Sequence, residues 1–258
     1  MTMFIDTHAH LDMEELSAKI DTVLEDAKKA GVEKIIIPGV QEKNFQNIID
    51  LIKAYPNLYG GLACHPQDVS GWIDNSQETI LTYAKHKKIV AIGETGLDYY
   101  WVKDNKEEQK SVFKAHIEIA KETKLPLIVH DREAHGDVYQ LLKYAHSLGV
   151  NGVMHCFSGS AEFALECTKL GFYIGLDGPV TFKNAKKPKQ VAKEVPLEWL
   201  LLETDSPYLT PHPYRQVKPN EPKYINLIAQ EIANLKSISI DKVAQQTTEN
   251  ALKLFAIS

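Results

Sequence analysis

Short apolar runs rich in β-branched residues alternate along the chain with longer stretches whose apolar positions fall three and four apart. The first pattern predicts strands and the second amphipathic helices. Met3 to Thr7 reads as a first strand, and Glu14 to Ala30 as a helix stopped by Gly31. Glu33 to Gly39 is the next β-branched run, followed by a helix over Lys43 to Tyr55. Leu58 to Cys64 predicts strand three and Gln77 to His86 a helix, with Ile89 to Glu94 as strand four. Glu107 to Lys124 reads as a long helix and Pro126 to His130 as strand five. Asp137 to Ser147 is helical, and Gly152 to His155 is strand six. Ala161 to Leu170 predicts a helix, Phe172 to Leu176 strand seven, and Pro188 to Glu194 a short helix. Trp199 to Thr204 reads as strand eight, and Tyr224 to Leu235 and Asp241 to Phe255 as closing helices.

Strand–helix alternation of this kind implies an α/β fold with a parallel sheet. Eight such units in 258 residues fit one closed (β/α)8 TIM barrel over residues 1–258. The rival is an open doubly wound sheet, but no Gly-rich phosphate loop follows the first strand. Composition is that of an ordinary soluble protein, 44% apolar and 24% charged. A net charge of −5 supplies no global positive field for nucleic acid or anionic membrane, although bound cations would reverse the sign of a local site. Cys64, Cys156 and Cys167 have neither zinc-ribbon nor disulfide spacing, which fits a reducing compartment. No signal-like segment and no long apolar span is evident, so a cytoplasmic location is expected.

The polar residues at the strand ends change the picture most. His8 and His10 stand two apart beyond the first strand, where the period of 2 turns both side chains to one side. His65, Glu94, His130, His155 and Asp205 stand at the ends of strands three, four, five, six and eight. In a barrel all these ends meet on the face that carries the chemistry. The set exceeds what one zinc ion needs and suits two ions bridged by a carboxylate. Glu94, on a central strand, is placed to bridge, and Asp205 to bind one ion and accept a proton from an attacking water. No Gly-x-Ser-x-Gly elbow is present, and a Cys156–His155 dyad is disfavoured because adjacent strand residues face opposite sides. Cys64 and Cys167 read as buried thiols, and His86, His116, His135 and His146 as surface residues.

These blocks resemble the TatD family of metal-dependent deoxyribonucleases, a branch of the amidohydrolase-like barrels. The resemblance is carried by Asp6-Thr7-His8-Ala9-His10-Leu11-Asp12, Cys64-His65-Pro66, Gly93 to Tyr100, His130-Asp131-Arg132 and His155-Cys156-Phe157-Ser158-Gly159. It continues through Glu203-Thr204-Asp205-Ser206-Pro207-Tyr208-Leu209, Asn220-Glu221-Pro222 and Thr248-Glu249-Asn250-Ala251. It implies that His8, His10, Glu94 and Asp205 hold one divalent ion and that Glu94, His130 and His155 hold a second. It also implies phosphate contacts at His65 and Arg132, the latter suited to bidentate recognition. Before Asn220 the chain reads Arg215-Gln216-Val217-Lys218-Pro219, without the glycine and one basic residue that family members commonly carry there.

The resemblance further implies hydrolysis of phosphodiester bonds in DNA, as a 3′–5′ exonuclease on single strands, with magnesium, manganese or zinc. The rival is amide or ester hydrolysis on the same barrel, for example deacylation of D-aminoacyl-tRNA. No membrane association and no obligate protein partner are expected. Tyr99, Tyr100 and Trp101 either stack an unpaired base or pack the barrel mouth, and the basic loop Phe182 to Lys189 either tracks a DNA backbone or is solvated surface. His212, among prolines, is a further candidate for substrate contact.

Overall fold

A computed structural model describes residues 3–257; Met1, Thr2 and Ser258 of the expected 1–258 domain lie outside it. Eight strands pair in parallel in chain order: β1 (Phe4–Asp6), β2 (Val32–Ile37), β3 (Leu58–Gly61), β4 (Ile89–Asp98), β5 (Leu127–Arg132), β6 (Gly152–Met154), β7 (Phe172–Leu176) and β8 (Leu200–Leu202). The ring closes just beyond the strands, where Ala9 bridges Ser206 and Thr7 N–H donates to Leu202 O. The fold is a (β/α)8 barrel.

The helices are α1 (Glu14–Ser17), α2 (Ile20–Lys29), α3 (Phe45–Ala54), α4 (Ser76–Tyr83), α5 (Lys106–Thr123), α6 (His135–Ser147), α7 (Ala161–Lys169), α8 (Lys186–Glu194), α9 (Ile225–Lys236) and α10 (Ile240–Phe255). Alternation along each strand sorts the core into two layers. Outward-facing Phe4, Ile35, Ile37 and Leu58 pack on the apolar stripes of the helices. Ile5, Ile36, Val90, Ile128, Val153, Tyr173 and Leu201 pack with Ala251, Leu254 and Phe255, so the end of α10 plugs the barrel opposite the functional mouth.

Three expectations need correction. The helix expected over Glu14 to Ala30 is two helices, α1 and α2, broken at Lys19 (φ −133°), whose ammonium is 2.6 Å from Glu221 Oε1. Strand four does not stop at Glu94: β4 runs to Asp98, and Gly96 pairs with His130 of β5. A side chain at Gly96 (φ +132°) would place its Cβ 2.0 Å from His130 O, so only glycine carries the strand through. Finally, His116 is fully buried rather than on the surface. It lies on the apolar stripe of α5 with Val112, Phe113 and Ile117.

Candidate metal centre

The centre begins with the joint between the first and last strands. Asp6, fully buried, accepts from Thr204 N at 3.0 Å, Thr204 Oγ1 at 2.6 Å and His8 N at 3.3 Å. Burial pushes its carboxyl up to about 7 even against the hydrogen bonds from Thr204. Asp205 N–H donates to His8 O and His10 N–H to Ser206 O, so the segments carrying His8, His10 and Asp205 are laced together.

The two oxygens of Glu94 face different histidines. Oε2 is 3.2 Å from His8 Nε2 and 3.8 Å from His10 Nε2. Oε1 is 2.9 Å from His130 Nδ1, 3.4 Å from His65 Nε2 and 3.8 Å from His155 Nε2. Asp205 Oδ1 lies 3.5 Å from His10, 3.7 Å from His8 and 3.7 Å from His155. The rings of His8 and His155 stack at 3.5 Å. Burial would raise the carboxyl of Glu94, but His155, His65 and His8 override it and hold it well below the usual range. Asp205 is likewise lowered, burial being overcome by the His10 hydrogen bond and by His155 and His8. Both carboxylates are therefore ionised.

The donor set fits divalent cations. His8 Nε2 and His10 Nε2 stand 3.3 Å apart, a gap with room for at most one proton, while both also face Glu94 and Asp205. Convergent imidazole lone pairs and ionised carboxylates are the ligands of imidazole-rich zinc, manganese or iron sites. Candidate ligand atoms lie within 4.8 Å of one another in the groups His8–His10–Glu94, His8–His155–Asp205 and His65–Glu94–His130.

Carboxylates behind the histidines orient them. His130 Nε2 is 3.2 Å from Asp98 Oδ2, which also accepts from Gln67 Nε2 at 2.7 Å. Burial would lower His130, but its hydrogen bonds to Asp98 and Glu94 prevail and raise it to about 9. His155 Nδ1 lies 3.0 Å from Glu203 Oε1, and burial is again outweighed, here by Glu203 and Glu94, so the ring is pushed well above its ordinary value. Paired carboxylates of this kind fix the tautomer and raise the basicity of ligating histidines. His65 differs. Its Nδ1 accepts from Gln67 N–H at 3.2 Å, so in the neutral ring Nε2 carries the proton and acts as a donor.

The structure thus brings His8, His10, His65, Glu94, His130, His155 and Asp205 together at the barrel mouth. It groups His155 with His8 and Asp205, and His65 with Glu94 and His130. Arg132, at the end of β5, is exposed on the rim with its guanidinium over the Tyr100 ring at 4.8 Å. Trp101 beside it is 65% exposed, whereas Tyr99 is half-buried and donates to Asp137 Oδ2. After β7 and β8 Arg215 stacks over Phe182 at 3.6 Å and, with Tyr208 and Lys218, lines a groove of about 630 Å³. His212 is exposed but does not line that groove. Of the stretch Phe182 to Lys189 expected as a loop, residues from Lys186 on form the start of α8; Lys183, Lys186 and Lys187 are exposed, and Lys189 pairs with Glu231 at 3.0 Å.

Sequence reasoning passed over Asp98 and Glu203. Asp98 was open to discovery, since period 2 carries the face of Glu94 through residue 96 to 98. Glu203 stands two before Asp205, but nothing local tells which of the two meets a histidine. His116 Nε2 accepts from Cys64 N–H at 3.1 Å and its Nδ1 is 2.9 Å from Thr95 Oγ1, bracing the segments that carry His65 and Glu94. Cys64 and Cys167 are buried thiols, as expected.

The family model described as TatD related DNase matches residues 5–256 of the chain. The chain belongs to the TatD family. It is 46% identical over 256 residues to the metal-dependent hydrolase YabD of Bacillus subtilis, covering 99% of this chain and 100% of that one. It is 37% identical to the metal-dependent hydrolase YcfH of Escherichia coli, with 98% and 96% covered. The crystal structure of the TatD homologue YjjV of Escherichia coli superposes with a TM-score of 0.92 at 33% identity, covering 99% of this chain and 98% of that one. This TatD-family barrel is accordingly a metal-dependent hydrolase, and its clustered histidines and carboxylates are groups able to hold the metal. Among the described residues no helix is long and apolar enough to cross a membrane.

Proposed function

We propose that this TatD-family hydrolase cleaves phosphodiester bonds of DNA, acting from 3′ to 5′ on single strands, with two divalent ions bridged by Glu94. The observation that carries the reading is the division of Glu94, whose Oε2 faces His8 and His10 while Oε1 faces His130, His65 and His155. A carboxylate that presents its oxygens to two histidine sets is built to join two cations. His8, His10, Glu94 and Asp205 would hold one ion and Glu94, His130 and His155 the other. When bound, a pair of divalent ions lowers the pKa of water and neutralises charge on a phosphoryl group.

The remaining work falls to the chain itself. Asp205, held ionised, accepts the proton of the attacking water at Oδ1. The Nε2–H of His65 and the guanidinium of Arg132 donate to non-bridging phosphate oxygens and hold phosphorus in line. Asp98 and Glu203 keep His130 and His155 in one orientation. Exposed Trp101 and Tyr208, with Arg132 and Arg215 near them, form a rim of aromatic faces and cations, which suits bases and phosphates of an unpaired strand. That rim favours nucleic acid over a small amide or ester, although an aminoacyl-tRNA end would share part of it. The reading places the enzyme in the cytoplasm, where its thiols stay reduced.

The test is end-labelled single-stranded DNA incubated with magnesium, manganese or zinc, beside an Asp205→Asn control. Metal-dependent stepwise shortening from the 3′ end, absent in the control, is expected. Intact DNA under every metal, with turnover of an aminoacyl-tRNA or ester panel instead, would move the assignment to the deacylase branch.

A further inference from the structure

Beyond the histidine centre, the turns after β6, β7 and β8 bring a second kind of donor set together. Cys156 follows β6, Asp177 follows β7 and Asp205 follows β8. Their Sγ and carboxylate oxygens lie within 4.8 Å of one another. We infer that Cys156, Asp177 and Asp205 form an additional cation site for a thiophilic divalent ion such as Zn²⁺, adjoining the histidine centre through Asp205.

Two observations independent of that proximity point to a ligand. Asp177 is 4% exposed, and its Oδ2 has no hydrogen-bond partner. Glu203 beside it is fully buried and its Oε2 is equally without a partner. The protein makes room for this crowding, because a Cβ at Gly175 would fall 2.5 Å from Glu203 Oε2. Asp177, Glu203 and Asp205 thus converge in the interior; the His155 ring faces Glu203 and Asp205, while of these three His8 and His10 face only Asp205. A buried polar atom left without a hydrogen-bond partner is destabilising. The chain keeps these carboxylates close where a neutral side chain would relieve the repulsion, and a bound cation resolves the conflict.

The donor types set the identity of the ion. Zinc takes thiolate at about 2.3 Å and carboxylate at about 2.0–2.2 Å, which places donors roughly 3.5 Å apart in a tetrahedral site. Magnesium and calcium prefer oxygen alone, so thiolate selects zinc, cobalt or cadmium. On binding, the Cys156 thiol releases its proton to solvent and Sγ ligates as thiolate. The ion ties the three turns to one another and adds positive charge beside Asp205.

The experiment titrates metal-free protein with Co²⁺ and follows absorbance. The probe is Co²⁺ because thiolate ligation gives a near-ultraviolet charge-transfer band that histidine and carboxylate ligation does not. Expected for the wild type is that band, rising with one equivalent of cation beyond those held by the histidines. Cys156→Ser and Asp177→Asn should each lose the band and one bound equivalent while keeping the visible transitions of the histidine-bound cobalt. Cys64→Ser and Cys167→Ser should retain both. Thermal melts of the metal-free variants check folding, and Asp177→Asn should melt no lower than wild type since it removes a crowded carboxylate. A wild type without the band overturns the inference, as does a band that survives in Cys156→Ser or Asp177→Asn. DNA cleavage enters none of these readouts, so failure here leaves the nuclease assignment standing, and the reverse holds.

Discussion

His116 offers a test whose size follows from the structure. Its ring is fully buried in α5, with Nε2 accepting from Cys64 N–H and Nδ1 beside Thr95 Oγ1. Protonating Nε2 would set one N–H against another with no water to relieve it. Burial accordingly lowers the group from 6.5 to about 3. A histidine depressed in the folded state contributes its stability in full above the unfolded value of 6.5, and loses it as pH falls from there toward 3. Across that whole window the loss is roughly 5 kcal/mol at about 1.36 kcal/mol per pH unit; between about pH 7.5 and about pH 4.5 it is roughly 3 kcal/mol. In His116→Gln the amide oxygen replaces the Nε2 acceptor but cannot titrate. Urea unfolding of metal-free wild type and variant, followed by tryptophan fluorescence at several pH values, isolates the term, because the other histidines cancel. The wild type should lose roughly 3 kcal/mol more than the variant over that interval. Parallel stability–pH curves would refute the buried neutral histidine and the brace it forms behind the metal centre.

Asp98→Asn weakens the group that orients His130, so metal affinity or turnover should fall about 10–100-fold while folding persists; isothermal titration with Mn²⁺ reads the first and unchanged affinity would contradict the role. Gly96→Ala drives a Cβ into His130 O, and a destabilisation of roughly 3 kcal/mol or more is expected in chemical denaturation, with a near-neutral result showing that β4 and β5 do not approach as described. If the rim stacks bases, Trp101→Ala should weaken oligonucleotide binding by about 1–3 kcal/mol in fluorescence anisotropy and leave thermal stability unchanged, since the side chain is 65% exposed.

The limits of sequence reasoning show in particular residues. Phe172 to Leu176 reads as a strand and is one, because a β-branched and aromatic run between turn residues carries its own signal. The break between α1 and α2 carries none: no glycine or proline marks Lys19, whose conformation is set beside an ion pair with Glu221, distant in the chain. Glu94 reads as the end of strand four, yet β4 continues through Gly96, where β5 comes too close for any side chain. His116 was legible in principle, as it falls on the stripe of Val112, Phe113 and Ile117, but the charges of Glu107 to Lys124 masked it.

Local pattern by itself determined the strand–helix alternation, the parallel barrel, and the placement of His8, His10, His65, Glu94, His130, His155 and Asp205 at strand ends or on the strands' mouth side. These follow from periodicity within windows of about ten residues, which the chain carries wherever it folds. Tertiary structure alone decided that Glu94 turns its two oxygens to different histidines, that Asp98 and Glu203 stand behind His130 and His155, and that Asp177 meets Cys156 beside Asp205. The physical reason is barrel closure. Asp6 reaches Thr204 only once eight strands have curled round to meet, and that joint sets the distances between side chains far apart in sequence.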